Sequence, residues 1–220
     1  PGLANLASRD EIMNVAYLHN PSIEKGNTTL PRPESGVNGS TLTIPEFYKR
    51  VYKLDDVVPV DYYVPGCPPA ADRIKEVLQA VVSGGLPVPG SVVGANETAL
   101  CDECPRTKNE KKVKAFHRPW QVMIDPETCL LEQGVLCAGV ATRGGCGARC
   151  PSSGIPCRGC YGPLPGVVDQ GAKLLSAVVS VIDSNDAEEI DRILDGLPDF
   201  TGFAYRFSAP SSLLQRSVRQ

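Results

Sequence analysis

Nine cysteines carry most of the reactive chemistry of this chain, at positions 67, 101, 104, 129, 137, 146, 150, 157 and 160. The densest stretch, CGARCPSSGIPCRGC, runs from Cys146 to Cys160 and places four thiols in fifteen residues. Disulfides, zinc or an iron–sulfur cluster could each use such a stretch. An odd cysteine count, a chain of 220 residues, no secretory signal and close Cys-x-x-Cys pairs count against a disulfide framework. Zinc is harder to set aside, because Cys101-x-x-Cys104 and Cys157-x-x-Cys160 have knuckle spacing and eight cysteines suffice for two tetrahedral sites. Yet no hairpin signals surround compact knuckles, glycines flank nearly every thiol in RGGCGARCPSSGIPCRGCYGP, and Cys67, Cys104 and Cys150 are each followed by proline.

Those features suit a cluster of iron and sulfide. A cubane is bulkier than one ion, so the loop around it must bend sharply, which glycine allows. Its sulfides accept hydrogen bonds from backbone N–H groups, and glycine lets the backbone come close. Proline after a ligand turns the chain away from helix, and a Cys-Pro ending is shared with bacterial ferredoxin runs. Spacing therefore favours iron–sulfur and leaves zinc open.

The remaining chemistry is sparse. There is no Gly-x-Ser-x-Gly elbow, no P-loop and no Gly-x-Gly-x-x-Gly after a strand, so no hydrolytic or nucleotide constellation can be nominated. Of the two histidines, His19 and His117, the second could tune a cluster or carry a proton, but a structural role is the expectation. Arg143, Arg149 and Arg158 lie among the last cysteines, where their charges either stabilise a reduced cluster or sit on a surface loop. The basic run RTKNEKKVKAFHR (106–118) reads as a solvated face, with docking of an acidic partner as the alternative. Trp120, Tyr62 and Tyr63 read as packing rather than relay residues.

The elements that must hold these groups fall into three zones: 1–95, 96–165 and 166–220. In the first, Ser8 and Glu11 form a capping box ahead of Ile12, Val15 and Leu18, and Asn20-Pro21 stops the helix. A polar loop is expected from Pro21 to about Ser40. VVPVDYYV (57–64) reads as a buried strand whose Pro-Gly turn presents Cys67. The following helix, about 70–83, is expected to bury Ile74, Val77, Leu78, Val81 and Val82 and to end at Gly84-Gly85. Cys67 would then lie at the carboxyl end of a strand, where open α/β sheets place functional groups. The second zone holds eight cysteines and little periodicity. The third is helical: VDQGAKLLSAVVSVID has an apolar stripe, and SNDAEEIDRILDGL opens with an Asn185/Glu188 box and buries Ile190, Ile193 and Leu194.

Composition is that of an ordinary soluble globular chain, 42% hydrophobic and 21% charged. No apolar run approaches the roughly 18 residues of a membrane span, the longest being LLSAVVSVI (174–182). A net charge of −3 argues mildly against nucleic acid as a partner. The sequence begins at Pro1 with neither a charged n-region nor an apolar h-region, as if cut from a longer polypeptide.

VDYYVPGCPP, LCDECPR, CLLEQGVLCAGVATRGGCGARC and PCRGCYGP together resemble the small, electron-transfer subunit of nickel–iron hydrogenases. The branch is the methyl-viologen-reducing, heterodisulfide-reductase-linked group of archaea and anaerobic bacteria, tied to methanogenesis. The resemblance covers almost the whole chain. It implies an α/β fold: a partial flavodoxin-like domain (1–95), an irregular, loop-rich iron–sulfur cluster domain (96–165) and C-terminal helices (166–220). By the same resemblance Cys67 is a ligand of the proximal 4Fe-4S cluster. Cys101, Cys104, Cys129 and Cys137 match the distal set, with Cys101 where uptake enzymes have histidine. Cys146, Cys150, Cys157 and Cys160 match the medial set, and the fourth cysteine implies 4Fe-4S rather than 3Fe-4S.

The family carries a further Cys-x-x-Cys and another cysteine ahead of a stretch like PGLANL, where this sequence begins. By that resemblance it supplies one proximal ligand, and the others are expected from a preceding part of the domain, with another chain as the alternative. The implied partners are a hydrogenase large subunit holding the nickel, a small 2Fe-2S subunit, and a heterodisulfide-reductase-type or flavin-containing acceptor. Nucleic acid and membrane are not expected, and the compartment is expected to be cytoplasmic. The rivals are a cluster subunit of a related complex I-like or bifurcating oxidoreductase, and a zinc-binding interaction module.

Overall fold

The computed structural model describes residues 5–109 and 112–213. Helix α1 (Arg9–Tyr17) opens on the expected box: the Ser8 hydroxyl accepts from the Glu11 N–H at 3.1 Å, and the Glu11 carboxylate accepts from the Ser8 N–H at 2.7 Å. The stretch expected as a loop after it contains an antiparallel hairpin, β1 (Glu34–Val37) and β2 (Ser40–Thr43). Its two-residue turn is Asn38-Gly39, both at positive φ (53° and 82°), the dipeptide and conformation that match strand twist. The hairpin was therefore legible in sequence and the loop expectation is corrected.

Two further expectations in this zone are corrected. Residues 57–64 do not form a buried strand. Val57 and Val58 are 48% and 43% exposed, and pairing shrinks to an isolated parallel bridge between Tyr63 and Val92. Pro59 has no N–H to give a ladder, and only the 90–93 turn offers backbone opposite: the Tyr63 N–H donates to the Ser91 carbonyl and the Val93 N–H to that of Tyr63. Helix α2 (Ala71–Ser83) forms where expected and ends on Gly84 at φ 68°. Its apolar face is not buried, however: Ile74, Leu78, Val81 and Val82 are 40–89% exposed. An amphipathic helix is buried only when another layer faces it, and no described element covers this one.

The core lies in the second and third zones. Leu100, Val113, Phe116, Leu131, Leu136, Ala138, Leu174, Val178, Val181 and Ile193 pack into one apolar cluster. Around it run short pieces: α3 (Leu100–Glu103), 3₁₀ turns at Leu131–Gln133 and Ala138–Ala141, α4 (Arg149–Ser152), α5 (Gln170–Ser180), α6 (Ala187–Asp195) and α7 (Phe200–Ala204). The basic run enters the core at Val113, which bridges to Ile182, and at Phe116.

Helix α5 is capped by Asp169, whose carboxylate accepts from the Ala172 N–H at 2.9 Å and from the Leu213 N–H at 3.0 Å. Gly171 lets α5 lie directly against the ring of Tyr205. The cap of α6 is Asp186, accepting from Glu189, not the expected Asn185/Glu188 box. The helix starts one residue later because Asp186 caps equally well and Ser184 then bonds Glu189 at 2.7 Å. The chain thus mixes helices with one small two-stranded sheet. Among the described residues no helix is long and apolar enough to cross a membrane.

Candidate metal centre

All nine cysteines are free thiols, and Cys157 sits in the apolar core with Cys104, Cys129, Cys137 and Cys146 packed against it. Two groups can be recognised from what each thiol feels. Cys101 lies in α3, and Cys104 caps its end in extended backbone, with Pro105 turning the chain away. Cys129 is fixed by its N–H, which donates to the Thr107 carbonyl at 2.8 Å, and Cys137 opens the Ala138–Ala141 turn. Burial pushes the Cys101 thiol up to about 11; Lys108 opposes that, while Cys129 and Cys104 add to it. Burial likewise pushes Cys137 up to about 12, against the Gly139 and Cys157 N–H groups and with help from Cys101 and Cys129. Cys101 thus has Cys104 and Cys129 as neighbours, and Cys137 has Cys101 and Cys129.

The second group forms on the 144–160 loop. Cys146 follows Gly145, and Cys150 lies in α4. Burial raises Cys146 against the Arg149 and Ala148 N–H groups, and Glu103 and Cys150 raise it further. Burial raises Cys160 too, opposed by the N–H of Cys67, and the neighbours that add to it are Cys146 and Cys150. Cys67, the expected ligand of a third site, thus points its backbone N–H at a sulfur of the second group while its own side chain is exposed. Cys157 stands between the groups. Its N–H donates to the Cys137 sulfur at 3.3 Å, and its thiol is raised by burial and by both Cys137 and Cys160.

Side chains that hold these loops were only partly legible. Glu103 accepts from the Gly145 N–H at 2.9 Å and the Ala148 N–H at 3.2 Å, with the Cys146 sulfur 3.8 Å away. Buried Gln170 donates to the Thr142 hydroxyl at 3.0 Å and the Gly159 carbonyl at 3.1 Å, which fixes the turn between Cys157 and Cys160. Arg106, read from sequence as part of a solvated run, is buried and donates to the carbonyls of Pro151, Asp125 and Thr128. None of the three has a sequence signature beyond adjacency to a cysteine loop.

Of the nominated arginines, Arg143 donates to the Pro163 carbonyl at 2.7 Å, Arg149 pairs with Asp72 at 2.8 Å, and Arg158 is exposed. His117 is tied by its backbone to Gly134. Tyr62 and Tyr63 bond Pro87 and Asp55, and Trp120 is 78% exposed and so lies outside the core.

The donor set fits iron–sulfur chemistry. Soft thiolates are the ligands of such clusters, and neutral buried thiols give up their protons when metal binds. Backbone N–H groups of Cys157, Gly139, Ala148, Arg149, Gly159 and Cys67 are directed at sulfurs. At Gly139 an added Cβ would lie 3.3 Å from the Cys101 sulfur and 3.8 Å from the Cys137 sulfur, so glycine keeps that space open. Among the described residues no three Cys, His, Asp or Glu side chains converge as closely as one metal ion requires.

Known proteins resemble this chain. A family model described as the 20 Kd subunit of NADH ubiquinone oxidoreductase matches residues 19–81. The chain is 39% identical to an F420-non-reducing hydrogenase iron-sulfur subunit of Archaeoglobus profundus, over 99% of this chain and 68% of the relative. It is 35% identical to an F420-non-reducing hydrogenase subunit of Methanothermobacter thermautotrophicus, over 100% of this chain and 68% of the relative. It is also 33% identical to the delta subunit of Sulfhydrogenase 2 of Pyrococcus furiosus, over 54% of this chain and 46% of the relative.

Proposed function

Because the chain belongs to the family of these F420-non-reducing hydrogenase subunits, we propose that its cysteines make it an electron relay between a hydrogen-splitting large subunit and an acceptor. The observation that supports this reading is that thiols from distant segments of 101–160 neighbour one another, with the Cys157 N–H donating to the Cys137 sulfur at 3.3 Å. Cys101, Cys104, Cys129 and Cys137 would hold the distal 4Fe-4S cluster, and Cys146, Cys150, Cys157 and Cys160 the medial one. Cys67 would give one ligand to the proximal cluster. Such clusters take up and release single electrons at potentials set by ligand type, hydrogen bonds to sulfur and burial. The protein's own part is to supply those three settings and to keep the two groups side by side: Cys157 touches both through its N–H and its neighbours.

In this proposal residues 1–95 belong to a flavodoxin-like domain, 96–165 form the cluster domain and 166–220 cover it. The acceptor is an iron–sulfur or flavin protein of the heterodisulfide-reductase type, reached through a 2Fe-2S subunit, and the complex works in the cytoplasm. The subunit conducts electrons and holds no bond-breaking residue of its own.

The test is a spectrum of the anaerobically purified native complex. A broad band near 400 nm (about that wavelength, as thiolate-ligated clusters give), acid-labile sulfide, and loss of both in cysteine-to-serine variants of either group are expected. Zinc by metal analysis with a colourless protein would end the cluster reading. The match of residues 19–81 to the 20 Kd subunit of NADH ubiquinone oxidoreductase supports a second reading, a related complex without hydrogenase activity. Hydrogen-dependent reduction of a viologen dye by the native complex separates the two.

A further inference from the structure

We propose that Arg106 is the buried counter-charge of the cysteine centre, a positioning residue that joins loops of both groups and raises the reduction potential of what they hold. The inference rests on the reading of the cysteines as cluster ligands. Arg106 is only 6% exposed. Its Nε donates to the Pro151 carbonyl at 2.9 Å, one residue beyond Cys150. Its Nη1 donates to the carbonyls of Asp125 at 2.7 Å and of Thr128 at 2.9 Å, the latter on the peptide that leads into Cys129. Arg106 itself stands two residues beyond Cys104. One guanidinium thus fastens ligand-bearing segments from both groups.

Three carbonyls accept its hydrogen bonds. Carbonyl oxygens offer partial charges only, and among the described residues no carboxylate lies in ion-pair range of Arg106. The Asp125 carboxyl is held low mainly by the Thr128 hydroxyl and the Glu127 N–H, with Arg106 a lesser influence. A full charge buried without an opposite charge is costly, so such groups are ordinarily paired. Four thiolates around iron and sulfide carry net negative charge, which grows by one on reduction. They are an anion of the kind that no described residue supplies to this cation, and in a weakly polar interior a fixed cation favours the reduced form. Of the other cations of the region, Arg149 is paired with Asp72 at the surface, Arg158 is exposed, Arg143 is only half-buried and bonds the single carbonyl of Pro163, and exposed Lys108 acts on Cys101 alone, so none of them joins loops of both groups. Arginine suits the place because its fixed fork reaches three acceptors at once, which a lysine point charge does not.

The experiment uses the native complex carrying R106Q, which removes the charge and keeps a donor, and R106K, which keeps the charge and loses the fork. Iron and sulfide per subunit and midpoint potentials from an EPR-monitored redox titration are read for each. A loaded R106Q complex is expected to show potentials shifted negative, with R106K close to the unaltered complex. Should R106Q fail to hold iron, the iron content of R106K decides: retention supports the counter-charge, and loss equal to that of R106Q overturns it. Unchanged potentials in a loaded R106Q, or an equal shift in R106K, also overturn it. An unaltered complex without iron would instead overturn the cluster reading itself.

Discussion

A single side chain decides most at the positions where the chain approaches sulfur. Gly139 is such a place, since a Cβ there would meet Leu100 Cδ2 at 3.2 Å and the Cys101 sulfur at 3.3 Å. Gly139→Ala is expected to cost about 1–3 kcal/mol by overpacking. It should also lower iron bound by the Cys101–Cys104–Cys129–Cys137 group while sparing the other. Thermal unfolding and the two EPR signals check this; equal loss of both signals would mean that Gly139 acts through the fold and not on its own group. The run from Cys146 to Cys160 stood out by spacing, whereas the division of the cysteines into two sets of four came from the resemblance alone. Arg106 was not legible: in a run of charges the solvated reading is ordinarily correct, and only the carbonyls of three distant segments mark it as buried. Cys157 was expected as a ligand beside Cys160, and its backbone contact with Cys137 is something no spacing encodes.

Elements in this protein are short, and their ends carry much of their stability. In α1 the Glu11 carboxyl is held below its ordinary value by the Ser8 N–H, then by the Ser8 hydroxyl. A lowered acid contributes stability that is present above its unfolded value and is lost as pH falls through the folded one. Acidification into that range is therefore expected to fray α1, and Ser8→Ala to weaken the helix at neutral pH by about 1 kcal/mol. Amide exchange over residues 9–17 reads both, and unchanged protection in Ser8→Ala would remove the box from the account.

The opposite end of the chain is governed by packing. Gly171 in α5 lies against the Tyr205 ring, so Gly171→Ala drives a methyl into it. Better helix propensity, about 1 kcal/mol, is outweighed by the clash, and a net loss of about 1–2 kcal/mol is expected. A Tyr205→Leu partner change should recover part of the loss; no recovery would place the strain elsewhere. Such ends explain what sequence conveyed about elements. The Ser8/Glu11 box and the Gly84 stop could be read because they are local, and so could the Asn38-Gly39 turn. The failed strand at 57–64 could not, because a strand exists only through a partner, and Pro59 and the turn at 90–93 leave it one bridge.

At the scale of the whole molecule, burial is unevenly divided. Nearly all buried side chains among the described residues lie beyond residue 95, and Cys104, Cys129, Cys137, Cys146 and Cys157 are packed into that same core. Residues 5–95 instead keep apolar side chains such as Val15, Leu78 and Val82 exposed. Composition could not foretell this division, since both parts contain apolar helices of similar pattern. The difference is what faces them. In the cysteine-bearing part, short turns are held by backbone hydrogen bonds and by side chains such as Gln170, Glu103 and Arg106. A fold whose core includes metal ligands gains stability from the metal, because binding favours the folded chain. Removing iron and sulfide from the native complex under anaerobic conditions is therefore expected to lower amide protection across the segment from Leu100 to Ala204. Protection of the 34–43 hairpin and of α2 should stay as it was, since neither contributes a ligand or packs in that core. Hydrogen exchange before and after cluster removal measures the contrast. A loss spread evenly over the chain would mean that the two parts are one cooperative unit, and unchanged protection beyond residue 100 would mean that the core stands without its metal.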